Sequence, residues 1–130
     1  MRRIARVTVL CALLATTLWP VGVRAVDSVK KVGDCLGGPS KYRLVTRQID
    51  ADTLKVRVEV WGGVGGQEWS MFVSDNTDKV IRNTKTSNAE GFVRWVRPTG
   101  DRAGLDLIEM SAVNRSSGET CGDSIAFAEN

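Results

Sequence analysis

Gly104-Leu-Asp-Leu-Ile-Glu-Met-Ser-Ala-Val-Asn-Arg-Ser-Ser-Gly-Glu-Thr-Cys121 reads as one long strand, a glycine-bearing turn and a cysteine able to tie down the end of the chain. Asp106, Ile108, Met110 and Ala112 alternate with Leu107, Glu109 and Ser111. A period of two means opposite faces of a strand, because successive side chains point to opposite sides of the pleat. Asn114 to Gly118 then supplies turn residues, with Gly118 free to adopt a left-handed backbone.

Working outward, the same pattern fills the chain from Lys41 onward. Leu54, Val56, Val58 and Val60 alternate without error against Lys55, Arg57 and Glu59, which predicts a half-buried antiparallel strand running to Trp61. Tyr42–Ile49 precedes it across an Ile49–Thr53 turn whose aspartates bond the local backbone. Runs at Glu68–Ser74, Val80–Lys85, Phe92–Arg97 and Cys121–Phe127 are separated by Asp75–Lys79, Ser87–Gly91 and a polar connection, Pro98–Gly104. No window carries a helical stripe. The fold class expected is all-β, an immunoglobulin-like antiparallel two-sheet sandwich of about seven strands.

The strand ending Met110-Ser-Ala-Val-Asn114, followed by Gly118, resembles the penultimate strand of fibronectin type III modules, with Ile108 where a tyrosine is usual and a turn one residue longer. Asn88-Ala-Glu-Gly91, Asp101-Arg-Ala-Gly104 and Gly118-Glu-Thr-Cys121 are also similar to motifs of small secreted sandwich proteins common in actinobacteria. That resemblance covers about a third of the chain and implies the immunoglobulin/fibronectin type III-like fold. It implies no activity, since most of that group has none assigned.

Residues 1–25 have the layout of a cleaved secretory signal peptide: Arg2, Arg3 and Arg6, an apolar run from Val7 to Trp19, then Val23-Arg24-Ala25. The run is too short to be a comfortable membrane span, which takes about 20 apolar residues. Cleavage is expected after Ala25, taking Cys11 with it, followed by an irregular lead-in over 26–40 and the sandwich over 41–130. The expected localisation is secreted, extracellular or associated with the cell envelope.

The whole chain has 18 basic and 15 acidic residues. Four of the bases lie in the signal, so the mature chain has 14 against 15, a net charge of about −1. The basic pI therefore gives no argument for nucleic acid as a partner, and no stable membrane span is expected after cleavage. Cys35 and Cys121 remain, and in an oxidising compartment the economical reading is one disulfide.

The chain contains no histidine, which removes Ser-His-Asp and Cys-His catalysis, and two cysteines make no ordinary zinc site. Asp50/Asp52, Asp75/Asp78 and Glu119/Asp123 are carboxylate pairs in or beside turns, where aspartate is favoured for local hydrogen bonding. A converging pair with a raised pKa in a cleft would instead point to an enzyme. No catalytic residue, metal or cofactor is assigned.

Trp69 shares a face with Met71 and Val73 and belongs to the core. Trp61, beside the Gly62–Gly66 loop, and Trp95 are the candidates for exposed aromatics, which anchor proteins or stack on sugars. Ligand contact is therefore assigned to Gly63, Val64 and Gly65 of the loop, read as flexible, and to Trp61 and Trp95 on the strands. Lys41, Arg43, Arg47, Lys55 and Arg57 fall on two adjacent strands and form one basic strip, a surface suited to acidic polymers or to ordinary solvation. Asn114-Arg115-Ser116 is a glycosylation sequon, meaningful only in a eukaryotic secretory pathway and expected to be idle here. The function expected is a secreted, non-catalytic binding or accessory module, its partner a protein or glycan at the cell surface. A carrier of an apolar molecule between the sheets is the further alternative.

Overall fold

The structure, a computed structural model, describes residues 28–101 and 104–128. The signal peptide expected over 1–25 and its cleavage point lie outside the described residues. Eight strands form, β1 (Ser28–Asp34), β2 (Lys41–Asp50), β3 (Thr53–Trp61), β4 (Glu68–Asp75), β5 (Asp78–Thr86), β6 (Val93–Gly100), β7 (Leu105–Asn114) and β8 (Thr120–Ala128). They make two antiparallel four-stranded sheets, ordered β1-β2-β3-β6 and β5-β4-β7-β8. The chain crosses between sheets from β3 to β4, β5 to β6 and β6 to β7, and β7 is the penultimate strand.

Inward side chains fill the space between the sheets. Leu44, Leu54, Val56, Val58, Val60 and Trp95 from the first sheet meet Trp69, Met71, Val73, Ile108, Ile125 and Phe127 from the second, all at most 2% exposed. Burying this apolar surface is the dominant driving force, and the branched residues of β3 suit a pleated, half-buried strand. Trp69, Trp95 and Phe127 are the aromatics among these inward residues.

Two departures from the sequence reading have physical causes. The segment 26–40, read as an irregular lead-in, contains β1, which raises the strand count to eight. Its inward positions are Val29, Lys31 and Gly33, so no apolar alternation marks it. Lys31 Nζ reaches Asp123 at 3.5 Å, and Gly33 lies over the Tyr42 ring, where a Cβ would sit 2.3 Å from Tyr42 Oη. Pro98, assigned to a connection, lies inside β6 opposite Lys55. β6 is an edge strand, where a missing N–H is tolerated.

The two ends of the sandwich are closed differently. At the end holding the β1–β2 and β7–β8 connections, Cys35 and Cys121 form the expected disulfide, with Cα atoms 4.4 Å apart. Gly118 turns at φ 79°, the buried Glu119 carboxylate accepts the Ser40 N–H at 2.9 Å, and Thr120 pairs with Leu36. Gly118-Glu-Thr-Cys121 thus binds the beginning of the domain to its last strand. At the opposite end, Asn76 and Thr77 both have positive φ in the tight β4–β5 turn. A disulfide is compatible with an extracellular protein. Among the described residues no helix is long and apolar enough to cross a membrane.

Candidate functional site

The residues assigned to ligand contact do not form one site. Trp95 corrects the reading: it alternates inward with Val93, is 2% exposed and belongs to the core. Its register opposite Val58 decides this, and β6 alone could not show it. Lys85, from the neighbouring sheet, covers its outer side, with Nζ 5.9 Å from the ring centroid and donating to the Arg94 carbonyl at 2.8 Å. Trp61 does lie on the outer face, half-buried, with the Arg43 guanidinium 5.4 Å from its ring centroid.

The glycine loop is packed rather than loose. Gly66 N–H donates to the carbonyls of Ser87 and Asn88 at 3.1 and 3.2 Å. A Cβ on Gly65 would lie 2.3 Å from the Ala89 carbonyl oxygen, and one on Gly63 would lie 2.5 Å from Ser40 Oγ. The glycines at 63 and 65 therefore allow one backbone to lie against its neighbours, which explains them without a ligand. Val64, 63% exposed at the tip, is the part of the loop that reaches solvent.

The basic strip forms as expected and is wider than the sequence indicated. Outward positions of the first sheet, crossing β1-β2-β3-β6, run Asp34–Lys41–Trp61, then Val32–Arg43–Glu59–Arg94, then Lys30–Val45–Arg57–Val96, then Ser28–Arg47–Lys55–Pro98. β1 adds Lys30 and β6 adds Arg94. Seven bases, Lys30, Lys41, Arg43, Arg47, Lys55, Arg57 and Arg94, thus share a face with two acids, Asp34 and Glu59. Glu59 meets Arg57 Nε at 3.0 Å and an Arg43 nitrogen at 3.7 Å, while Lys41 meets Asp34 at 2.6 Å. The Arg57 contact is close but not aligned as a hydrogen bond, since that Nε has no hydrogen-bond partner. A shallow hollow of about 210 Å³ lies between Val45, Arg47, Lys55 and Arg57.

The outer face of the second sheet has a different chemistry. Ser70, Phe72, Ser111, Val113, Arg82 and Thr84 line an open hollow of about 850 Å³, with Phe72 44% exposed. Register places Phe72 between Arg82 and Ser111. Hydroxyls and small apolar groups dominate here.

The carboxylate pairs divide as well. Asp50 Oδ1 accepts the Asp52 N–H at 2.9 Å, the local turn bond expected. Asp75 is not a turn residue; it is 1% exposed and accepts the Thr99 hydroxyl at 3.1 Å. Glu119 and Asp123 act separately, Asp123 accepting the Tyr42 hydroxyl at 2.7 Å. Burial, then the Asp123 contact, pushes the Tyr42 hydroxyl up to about 12. Burial acts to raise Asp123, but the Tyr42 hydroxyl, the Ser124 N–H and Lys31 outweigh it and hold the carboxyl below its usual range.

A carboxyl group that sequence reasoning passed over lies at the end away from the disulfide. Asp106 in β7 is 0% exposed and within hydrogen-bonding reach of Asp75 and Asp101. Burial first, then these two neighbours, raises its pKa to about 7. The signal was an acid at an inward position of an otherwise apolar strand face. Among the described residues no three His, Cys, Asp or Glu side chains are arranged to hold a metal ion. Asn114 of the sequon is 2% exposed: its side-chain amide donates to Gln67 at 2.5 Å and its Oδ1 accepts from Ser116 and Ser117.

No protein-family model and no curated protein sequence matches the chain.

Proposed function

We propose that the protein is an extracellular, non-catalytic binding module that engages an acidic glycan or similar polyanion of the cell surface through the outer face of its first sheet. The observation carrying this reading is the segregation of charge. A domain of net charge about −1 places seven bases and two acids on one sheet face, arranged in rows. Strands lie about 4.8 Å apart and alternate positions along a strand about 6.7 Å apart, so the cations form a lattice that a repeating acidic polymer can follow. Arg47, Lys55 and Lys30 lie away from the Glu59 and Asp34 pairs and carry the attraction. Trp61, with Arg43 stacked on it, offers an aromatic edge at one corner for a sugar ring.

The test is retention on an anionic polysaccharide, polygalacturonate, compared with neutral dextran. Binding to polygalacturonate should weaken as salt rises, because charge attraction at an exposed face is screened. It should fall at least tenfold in an Arg47→Glu/Lys55→Glu variant and stay unchanged in a Ser111→Glu variant on the other face. Equal binding to dextran, or indifference to the double charge reversal, overturns the reading.

A further inference from the structure

Hydrogen-bond accounting around Asp106 does not close with the heavy atoms alone. Neither of its side-chain oxygens, both buried, has an N–H or O–H partner. The same is true of the buried Oδ1 atoms of Asp75 and Asp101. The other oxygens of those two neighbours are satisfied: Asp75 Oδ2 by the Thr99 hydroxyl at 3.1 Å, Asp101 Oδ2 by Gln48 Nε2 at 3.0 Å. Asp106 stands between them, in hydrogen-bonding reach of both. Two buried carboxylates, Asp75 and Asp106, and the half-buried Asp101 are costly to ionise together without a counter-charge. Among the described residues the charged groups acting on Asp106 are these same two aspartates. Asp78 stands opposite Asp75 in the β4–β5 register, Phe127 of β8 opposite Asp106, and Leu54 of β3 opposite both Gln48 and Thr99.

We propose that a protonated Asp106, set between the unpartnered Oδ1 atoms of Asp75 and Asp101, donates to them and so forms an acid-closed clasp joining the end of β6 in one sheet to β4 and β7 in the other. A neutral Asp106 carries one proton, which it donates to the unpartnered Oδ1 of either neighbour in turn, and both neighbours remain the acceptors that Thr99 and Gln48 require. Asp101 also fixes the backbone, since its N–H donates to the Asp52 carbonyl at 2.8 Å. Loss of the shared proton puts a second or third negative charge into an enclosed site and drives Asp101, the half-exposed member, away from Asp106. The consequence for pH follows from a folded-state pKa raised from 3.8 to about 7. Stability from this group is complete below the unfolded value and is lost as pH rises through neutrality, the reverse of an ordinary paired carboxylate.

The experiment uses the intact oxidised protein. Carboxyl carbon NMR of the wild type should give Asp106 a titration midpoint near neutrality, and the melting temperature should fall by about 10 °C between pH 5 and pH 8. Asp106→Asn, which keeps the shape but cannot ionise, should flatten that fall and leave the variant at least as stable as wild type at pH 8. An Asp106 midpoint below pH 5 in the wild type overturns the clasp without reference to any variant. So does a rise in wild-type melting temperature at pH 8 on adding calcium that Asp106→Asn abolishes, because a cation and not protons would then join the carboxylates.

Discussion

The two ends of the sandwich solve one problem with different chemistry. At one end the sheets are joined by a covalent bridge, Cys35–Cys121, backed by the Glu119–Ser40 hydrogen bond and closely packed glycines. At the other they meet through Asp75, Asp101 and Asp106, with Thr99 and Gln48 as donors. The disulfide itself does not titrate. The second arrangement depends on a proton. A domain fastened this way has one permanent end and one conditional end, and perturbations at the two should differ in size and in pH dependence.

The largest expected effect comes from the covalent end. Replacing Cys35 and Cys121 together by serine or alanine frees a separation of 86 residues and should cost about 4–5 kcal/mol on the chain-entropy account, read by urea unfolding. That loss should be the same at pH 5 and pH 8. A marked pH dependence would erase the distinction between the ends. Next, Glu119→Ala leaves the Ser40 N–H without its acceptor inside the fold and should cost about 1–3 kcal/mol by the same measurement. Gly33→Ala drives a methyl into Tyr42 and should break its hydrogen bond to Asp123, costing about 1–2 kcal/mol. The tyrosine titration, followed by ultraviolet absorbance, should then move down from about 12 toward an ordinary phenol. The smallest effect belongs to the conditional end and has the opposite sign. Thr77 is a β-branched residue held at φ 78°, and Thr77→Gly should raise stability by about 1 kcal/mol. A loss there would mean that the turn is not strained.

The architecture was legible because β3 and β7 carry unbroken alternation, and because the turns between strands use residues whose chemistry is local. Asp50, Asp52 and Gly118 act within a few residues of themselves, so the sequence alone identifies their work. The basic strip was legible for the same reason: outward positions on two adjacent strands can be counted. What escaped depends on partners far along the chain. Trp95 is inward only because β6 pairs in one register with β3. Trp61 is partly covered because Arg43 comes from β2. β1 is a strand without an apolar pattern, since its inward Lys31 and Gly33 answer to Asp123 and Tyr42, residues distant in sequence. Asp106 was visible as an acid among inward apolar residues, yet its meaning required Asp75 and Asp101, which come from two other elements.

The disulfide also has a mechanical meaning. A pull applied at residues flanking the domain passes from β1 through the Cys35–Cys121 bridge into β8, bypassing residues 36–120. Tension can unzip only the outer strands, β1 from β2 and β8 from β7, each an antiparallel edge that opens one bond at a time. Between them β2 to β7 bear no load, so the bases on β2, β3 and β6 keep their arrangement while Lys30 leaves with β1.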